Sequence, residues 1–110
     1  MIPFIPDTSK YIGKPRGEVF AEIIKQYGAT HYIPGFEYQQ WCRENPGKIP
    51  RILKDDNYYY TPGTVLGYSD GRVTVPYGRW RGDAWNRNDV WFEDDWFDFE
   101  RVLLLPRIDS

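Results

Sequence analysis

The chain has one cysteine and one histidine in 110 residues, and no apolar run long enough to cross a bilayer. A single thiol, Cys42, excludes an intramolecular disulfide and any zinc site built from several cysteines. A single histidine, His31, excludes a histidine-rich metal site. Membrane helices need about 18 or more consecutive apolar residues, so no membrane span is expected. The opening stretch MIPFIPDTSKYIGK has two prolines and no apolar core of signal-peptide length. With the lone thiol, that favours a reducing, cytoplasmic setting. A basic excess is also missing, because the net charge is −2, so no global field draws the chain to nucleic acid or anionic lipid. The glycines at 63, 67, 71 and 78 fit no nucleotide fingerprint. No catalytic motif is present and no cofactor is implied, so a non-enzymatic role is expected.

Aromatic residues are abundant, at 18%, with five Trp and nine Tyr. They allow much buried area per residue in a small domain, and they also supply stacking and anchoring surfaces. Charge is unevenly placed. Residues 1–88 hold 12 bases and 9 acids, whereas residues 89–100, DVWFEDDWFDFE, hold six acids, five aromatics and no base.

The length suits one domain over residues 1–110. Residues 1–15 read as an extended arm, since Pro3 and Pro6 forbid helix. Residues 16–45 read as a helical part. In RGEVFAEIIKQY (16–27), Val19, Phe20, Ile23, Ile24 and Tyr27 form one apolar stripe, with Pro15 at the start and Gly28 at the stop. FEYQQWCREN (36–45) predicts a second helix, with Tyr38, Trp41, Cys42 and Asn45 at helical spacing. THYIP (30–34) is read as a short strand or bridge, and residues 46–57 as a connector.

Residues 58–105 read as a β part. Asp70-Gly71 is a strong hairpin signal. A two-residue turn there pairs Tyr68 with Val73 and Leu66 with Val75, placing their apolar side chains on one face. GRWRGDAWNRN (78–88) reads as a loop. In the closing segment, strand alternation turns Phe97 and Phe99 inward and Asp98 and Glu100 outward. The predicted class is α+β: two N-terminal helices, then a small antiparallel barrel or strongly bent sheet.

YTPGTVLGYSDGRVTVPYGRW together with DVWFEDDWFDFERVLLL resembles small SH3-like and Tudor-like barrels over about residues 60–105. The resemblance implies a module that binds peptides, modified side chains or nucleic acid, and it includes neither helix.

The leading expectation is an interaction module that binds another macromolecule, a protein, as an inhibitor or accessory protein of the kind phages and other mobile elements encode. That suggestion comes from general resemblance, not from any residue. Trp80, Trp85, Trp91 and Trp96 would anchor, and Arg81, Arg87, Asp94 and Asp95 would orient. The alternative is a site for a nucleotide, a cyclic oligonucleotide or a short single strand. There Arg79, Arg81 and Arg87 would hold phosphate, and Trp85 or Tyr60 would stack on a base. Against both stands the reading that these arginines only pair with the acids of 89–100.

Other candidates are a Cys42–His31 nucleophile and base, a carboxylate pair from the six acids of 89–100, metal ligands among Asp94, Asp95 and Asp98, and a tyrosine cage from Tyr58-Tyr59-Tyr60 with Trp80 or Trp91. The tripeptide Arg81-Gly82-Asp83 is read as chance. An exposed hairpin edge would let two copies pair as a homodimer.

Overall fold

A computed structural model describes residues 2–107. Its elements, in chain order, are helix α1 (Arg16–Tyr27), strand β1 (His31–Tyr32), helix α2 (Phe36–Glu44), and strands β2 (Tyr58–Tyr60), β3 (Leu66–Gly67), β4 (Val73–Arg81), β5 (Ala84–Trp91), β6 (Glu100–Val102) and β7 (Leu105–Pro106). The class is α+β. No helix of the described residues is long and apolar enough to cross a membrane.

β4 organises a five-stranded sheet. β5 runs along one edge of β4, β3 and β2 share its other edge, and β6 lies beyond β2. Among the described residues no pairing joins β5 to β6, so the sheet is open rather than a closed barrel. It is also mixed rather than purely antiparallel, because β6 runs parallel to β2, with Tyr58 opposite Glu100 and Tyr60 opposite Val102. β1 and β7 form a separate antiparallel pair that ties the N-terminal half to the chain's end.

Each face of the sheet packs on one helix. α1 buries Val19, Phe20 and Ile23 against Tyr60, Val75, Trp96 and Val102. That follows the predicted stripe except at Ile24, which is exposed. α2 lies on the opposite face, where Cys42 meets Leu53, Tyr59, Trp85 and Leu103. Tyr38 packs against this core as expected, but Trp41 is exposed, and α2 drives a glutamine inward. Gln39 is fully buried and donates to the Tyr59 carbonyl (3.0 Å) and the Thr61 hydroxyl (3.2 Å). Its Oε1 accepts the Trp85 indole N–H at 2.8 Å. Every polar atom of the amide is thus engaged, which is what makes its burial tolerable.

Gly78 makes this contact possible. A side chain there would overlap the Trp85 indole and the Gln39 amide. Gly78→Ala is expected to destabilise the protein by about 3 kcal/mol, through overpacking and loss of the buried amide–indole bond. Urea unfolding measures it, and an unchanged midpoint would contradict this account.

Three sequence expectations are corrected. The Asp70-Gly71 hairpin exists, but its register is shifted by one: Leu66 opposes Thr74 and Gly67 opposes Val73. The loop contains three residues, closed by Tyr68 N–H to Arg72 C=O and Gly71 N–H to Tyr68 C=O, with Gly71 at φ 88°. That glycine takes the left-handed position of a three-residue hairpin. Tyr68 is consequently exposed and donates to Asp89 instead of entering the core.

Second, residues 78–88 are not a loop. They form the outer half of a long hairpin, β4–β5, turned by Gly82-Asp83 and paired from Thr74–Trp91 to Arg81–Ala84. Third, Phe97 and Phe99 are exposed, and Glu100 is fully buried. Glu100 accepts from Arg16 Nε at 3.0 Å, from the Tyr60 hydroxyl and from the Phe97 N–H at 2.8 Å. These donors draw the carboxylate inward and reverse the predicted alternation.

Candidate functional site

The β4–β5 hairpin extends past the reach of α1. On the α1 side its inner half presents Val75 and Val90, packed in the core. The same face farther out presents Tyr77, Arg79 and Arg81 from β4, opposite Asn88, Asn86 and Ala84 from β5. The side-chain alternation is unbroken, and only the covering changes. An apolar, covered face becomes a basic, amide-rich, uncovered one. That explains why the sequence looks loop-like there: its apolar period stops where burial stops.

This outer face forms a cleft of about 350 Å³, lined by Tyr58, Tyr77, Arg79, Arg81, Asn86, Arg87 and Asn88. The lining holds the Arg79 and Arg81 guanidinium groups and no carboxylate, in a chain whose net charge is −2. Arg87, opposite Gly78, borders the cleft from β5, but alternation turns its side chain to the α2 face. Tyr58 and Tyr77 form its floor, stacked with centroids 4.6 Å apart and planes at 11°. Arg79 lies over the Tyr58 ring at 5.1 Å and donates from Nη1 to the Tyr58 hydroxyl at 2.9 Å. This pre-sets the guanidinium while leaving most of its N–H groups unspent. Arg87 stacks on Phe36 of α2 at 4.8 Å. The Nε groups of Arg79 and Arg87 are enclosed without an acceptor.

Among the described residues, none of Arg79, Arg81 and Arg87 forms an ion pair. The reading that they neutralise the acids of 89–100 is thereby overturned. Those acids have other contacts. Asp94 pairs with Arg16 at 3.5 Å, and the Asp94 and Phe92 carbonyls accept the Arg16 and Gly17 N–H groups. Asp95 bridges Pro15. The acidic turn therefore caps the N-terminus of α1, where negative charge is favoured by the helix dipole. Asp89 accepts from Thr74 and Tyr68.

The proposed anchors divide. Trp85 and Trp96 lie in the two cores, only 3% and 1% exposed. Trp80 is half-buried beneath the Lys54 ammonium, at 4.5 Å. Trp91 is exposed, with Arg72 over its ring at 5.1 Å. Tyr60, offered as a base-stacking residue, is fully buried. A tyrosine cage does not form across one surface: Tyr60 and Tyr59 belong to opposite cores. Tyr58 is already covered by the protein's own Arg79.

Cys42 is sealed in the second core, and burial pushes its thiol up to about 12, away from nucleophilic use. His31 is elsewhere, stacked on Phe4 at 4.8 Å. No three His, Cys, Asp or Glu side chains among the described residues converge as metal ligands would.

Sequence reasoning missed Tyr58, Tyr77, Asn86 and Asn88 as members of the cleft. The signal was the Gly82-Asp83 turn, which places residues 79 and 86 side by side once it is read as a hairpin. A second, more apolar cleft of about 420 Å³ lies between Tyr38, Trp41, Lys48, Pro50 and Leu105, with a single cation in its lining. Compared with protein-family models, curated proteins and solved structures, the chain matches none.

Proposed function

We propose that the chain is a non-enzymatic binding module that takes a phosphate-bearing ligand of the nucleotide class on the uncovered face of its β4–β5 hairpin. The observation carrying this reading is the convergence of Arg79 and Arg81 on one cleft with no carboxylate to satisfy them. Guanidinium forks match phosphate oxygens in pairs, and such charge-assisted bonds are stronger than neutral ones. The Asn86 amide carries both a donor and an acceptor, the equipment needed to read a base edge, and Asn88, whose Oδ1 accepts the Asp89 N–H, adds a donor. Arg79 is held over Tyr58 by the ring and its hydroxyl, which fixes the guanidinium at the cleft for a phosphate.

The test is a titration of a fluorescent nucleotide at low and moderate salt. Arg79→Ala and Arg81→Ala should each weaken binding about tenfold, the effect of losing a charge-assisted bond. Each should also flatten the salt dependence by about one phosphate contact. Variants that bind as the parent does would end this reading.

A protein partner is the second reading, favoured by one observation: Trp91 stands exposed beside the acidic turn of Asp94 and Asp95. The SH3-like pattern of residues 60–105 supports a binding role by analogy only, and an inhibitor of the mobile-element type would fit it. Asp94→Asn with Asp95→Asn should then weaken the partner and leave nucleotide binding intact. Both readings suit a reducing, cytoplasmic setting, given the single enclosed thiol.

A further inference from the structure

We propose that the ligand of this face is a single strand of nucleic acid spanning several bases, not a mononucleotide. The inference rests on the nucleotide-class reading above and adds its extent.

The carrying observation is a run of four rings that begins in the arginine cleft and leaves it. Tyr77 stacks on Tyr58 at 4.6 Å, Tyr58 meets the Phe99 edge at 4.9 Å, and Phe99 stacks on Phe97 at 5.5 Å with planes 4° apart. The backbone fixes the junction, since Tyr58 N–H donates to the Phe99 carbonyl at 2.9 Å. The two tyrosines are partly enclosed, but Phe97 and Phe99 are 48% and 40% exposed. Two adjacent exposed rings, nearly parallel and continuous with the unpaired guanidinium groups of Arg79 and Arg81, combine what single-strand binding requires. Aromatic faces take unpaired bases, and cations take the backbone beside them.

A mononucleotide in the arginine cleft would leave the phenylalanine pair unused. A duplex would keep its bases paired and unable to reach it. A polar feature limits the track: the cleft beyond Phe97 is lined by Asp7 and Asp98 as well as Arg101. Two carboxylates there disfavour phosphate, so the strand runs toward the arginines and stops at Phe97.

The experiment uses the full chain and three labelled probes followed by fluorescence anisotropy: thymidine monophosphate, an oligothymidine of about ten nucleotides, and that oligomer annealed to oligoadenine. The oligothymidine should bind at least tenfold tighter than either of the others. Phe97→Ala and Phe99→Ala should each weaken it by about tenfold while leaving the monophosphate unchanged. Both phenylalanines are exposed, and thermal melting followed by circular dichroism verifies that the variants fold. Phe97→Leu and Phe99→Leu, which keep bulk but lose the flat ring, should behave as the alanine variants do.

If the monophosphate binds as tightly as the oligomer, or the duplex matches the single strand, the inference is wrong while the phosphate-site reading survives. The same holds if the phenylalanine variants bind the oligomer normally. If no probe binds and Arg79→Ala changes nothing, both fail together.

Discussion

Glu100→Ala is expected to cost about 3–5 kcal/mol of folding stability, enough to leave a domain of this size partly unfolded at room temperature. Glu100 is fully buried, and Arg16 is 6% exposed. Truncation strands the guanidinium in a site built for an ion pair, leaving the exposed Asp94 at 3.5 Å and the Trp91 carbonyl at 3.1 Å to offset it. It also deprives the Tyr60 hydroxyl and the Phe97 N–H of their acceptor. Glu100→Gln should cost less, because the amide oxygen still accepts one of these bonds. The double variant Arg16→Met with Glu100→Leu should cost less than the two single changes added together, since neither charge is then left alone. Urea unfolding followed by tryptophan fluorescence measures all five variants, the two single changes included. Strict additivity in the double variant would show that the pair is not coupled.

That pair also shows what the sequence could and could not convey. Arg16 opens a helix whose stripe, cap and stop are all local, and α1 was therefore legible. Its partner lies 84 positions away. Local alternation around Glu100 predicts an outward carboxylate, and only the distant cation reverses it. The same logic exposes Phe97 and Phe99, which local pattern places inside. In the first hairpin, Asp70-Gly71 identified the turn but not its length. Loops of two and three residues both use glycine, and the shift of one residue moved Tyr68 to the surface. In the second hairpin, strand pattern failed because one face has nothing covering it. Arg79, Arg81 and Arg87 could be singled out as candidate phosphate ligands from residue type alone. The cleft of Arg79 and Arg81 could not be, because Tyr58 and the asparagines join them only through β2–β4 and β4–β5 pairing, the same register that turns Arg87 to the other face. Trp85 and Trp96 carry no local mark that separates a core tryptophan from an anchor.

Alkaline pH should unfold the protein steeply, and the buried tyrosines set the direction. Burial, followed by the Glu100 charge and hydrogen bond, raises the Tyr60 phenol well above its ordinary value. Burial, followed by the Asp55 hydrogen bond, raises Tyr59. Both hydroxyls donate to carboxylates, so ionising either would set two anions against each other. An unfolded tyrosine loses its proton near pH 10. Above that pH the unfolded chain has released protons that the folded chain retains, so the unfolded state binds fewer and stability falls as pH rises. The contribution is complete below about pH 10 and disappears as pH climbs toward the folded values. Two such protons give a slope of about 2.7 kcal/mol per pH unit above about pH 11; the Tyr38 phenol, likewise raised by burial, adds to it, as does the Cys42 thiol, at about 12 in the fold, from about pH 9. Tyr60→Phe removes one of these protons and should flatten the slope by about 1.4 kcal/mol per unit, apart from a constant loss for the missing hydrogen bond. Urea unfolding across this range, read together with phenolate absorbance, checks the account. Phenolate from these two residues must emerge with unfolding, and if it emerges near pH 10 in protein that is still folded, the buried tyrosine–carboxylate bonds are not what holds the sheet's centre together.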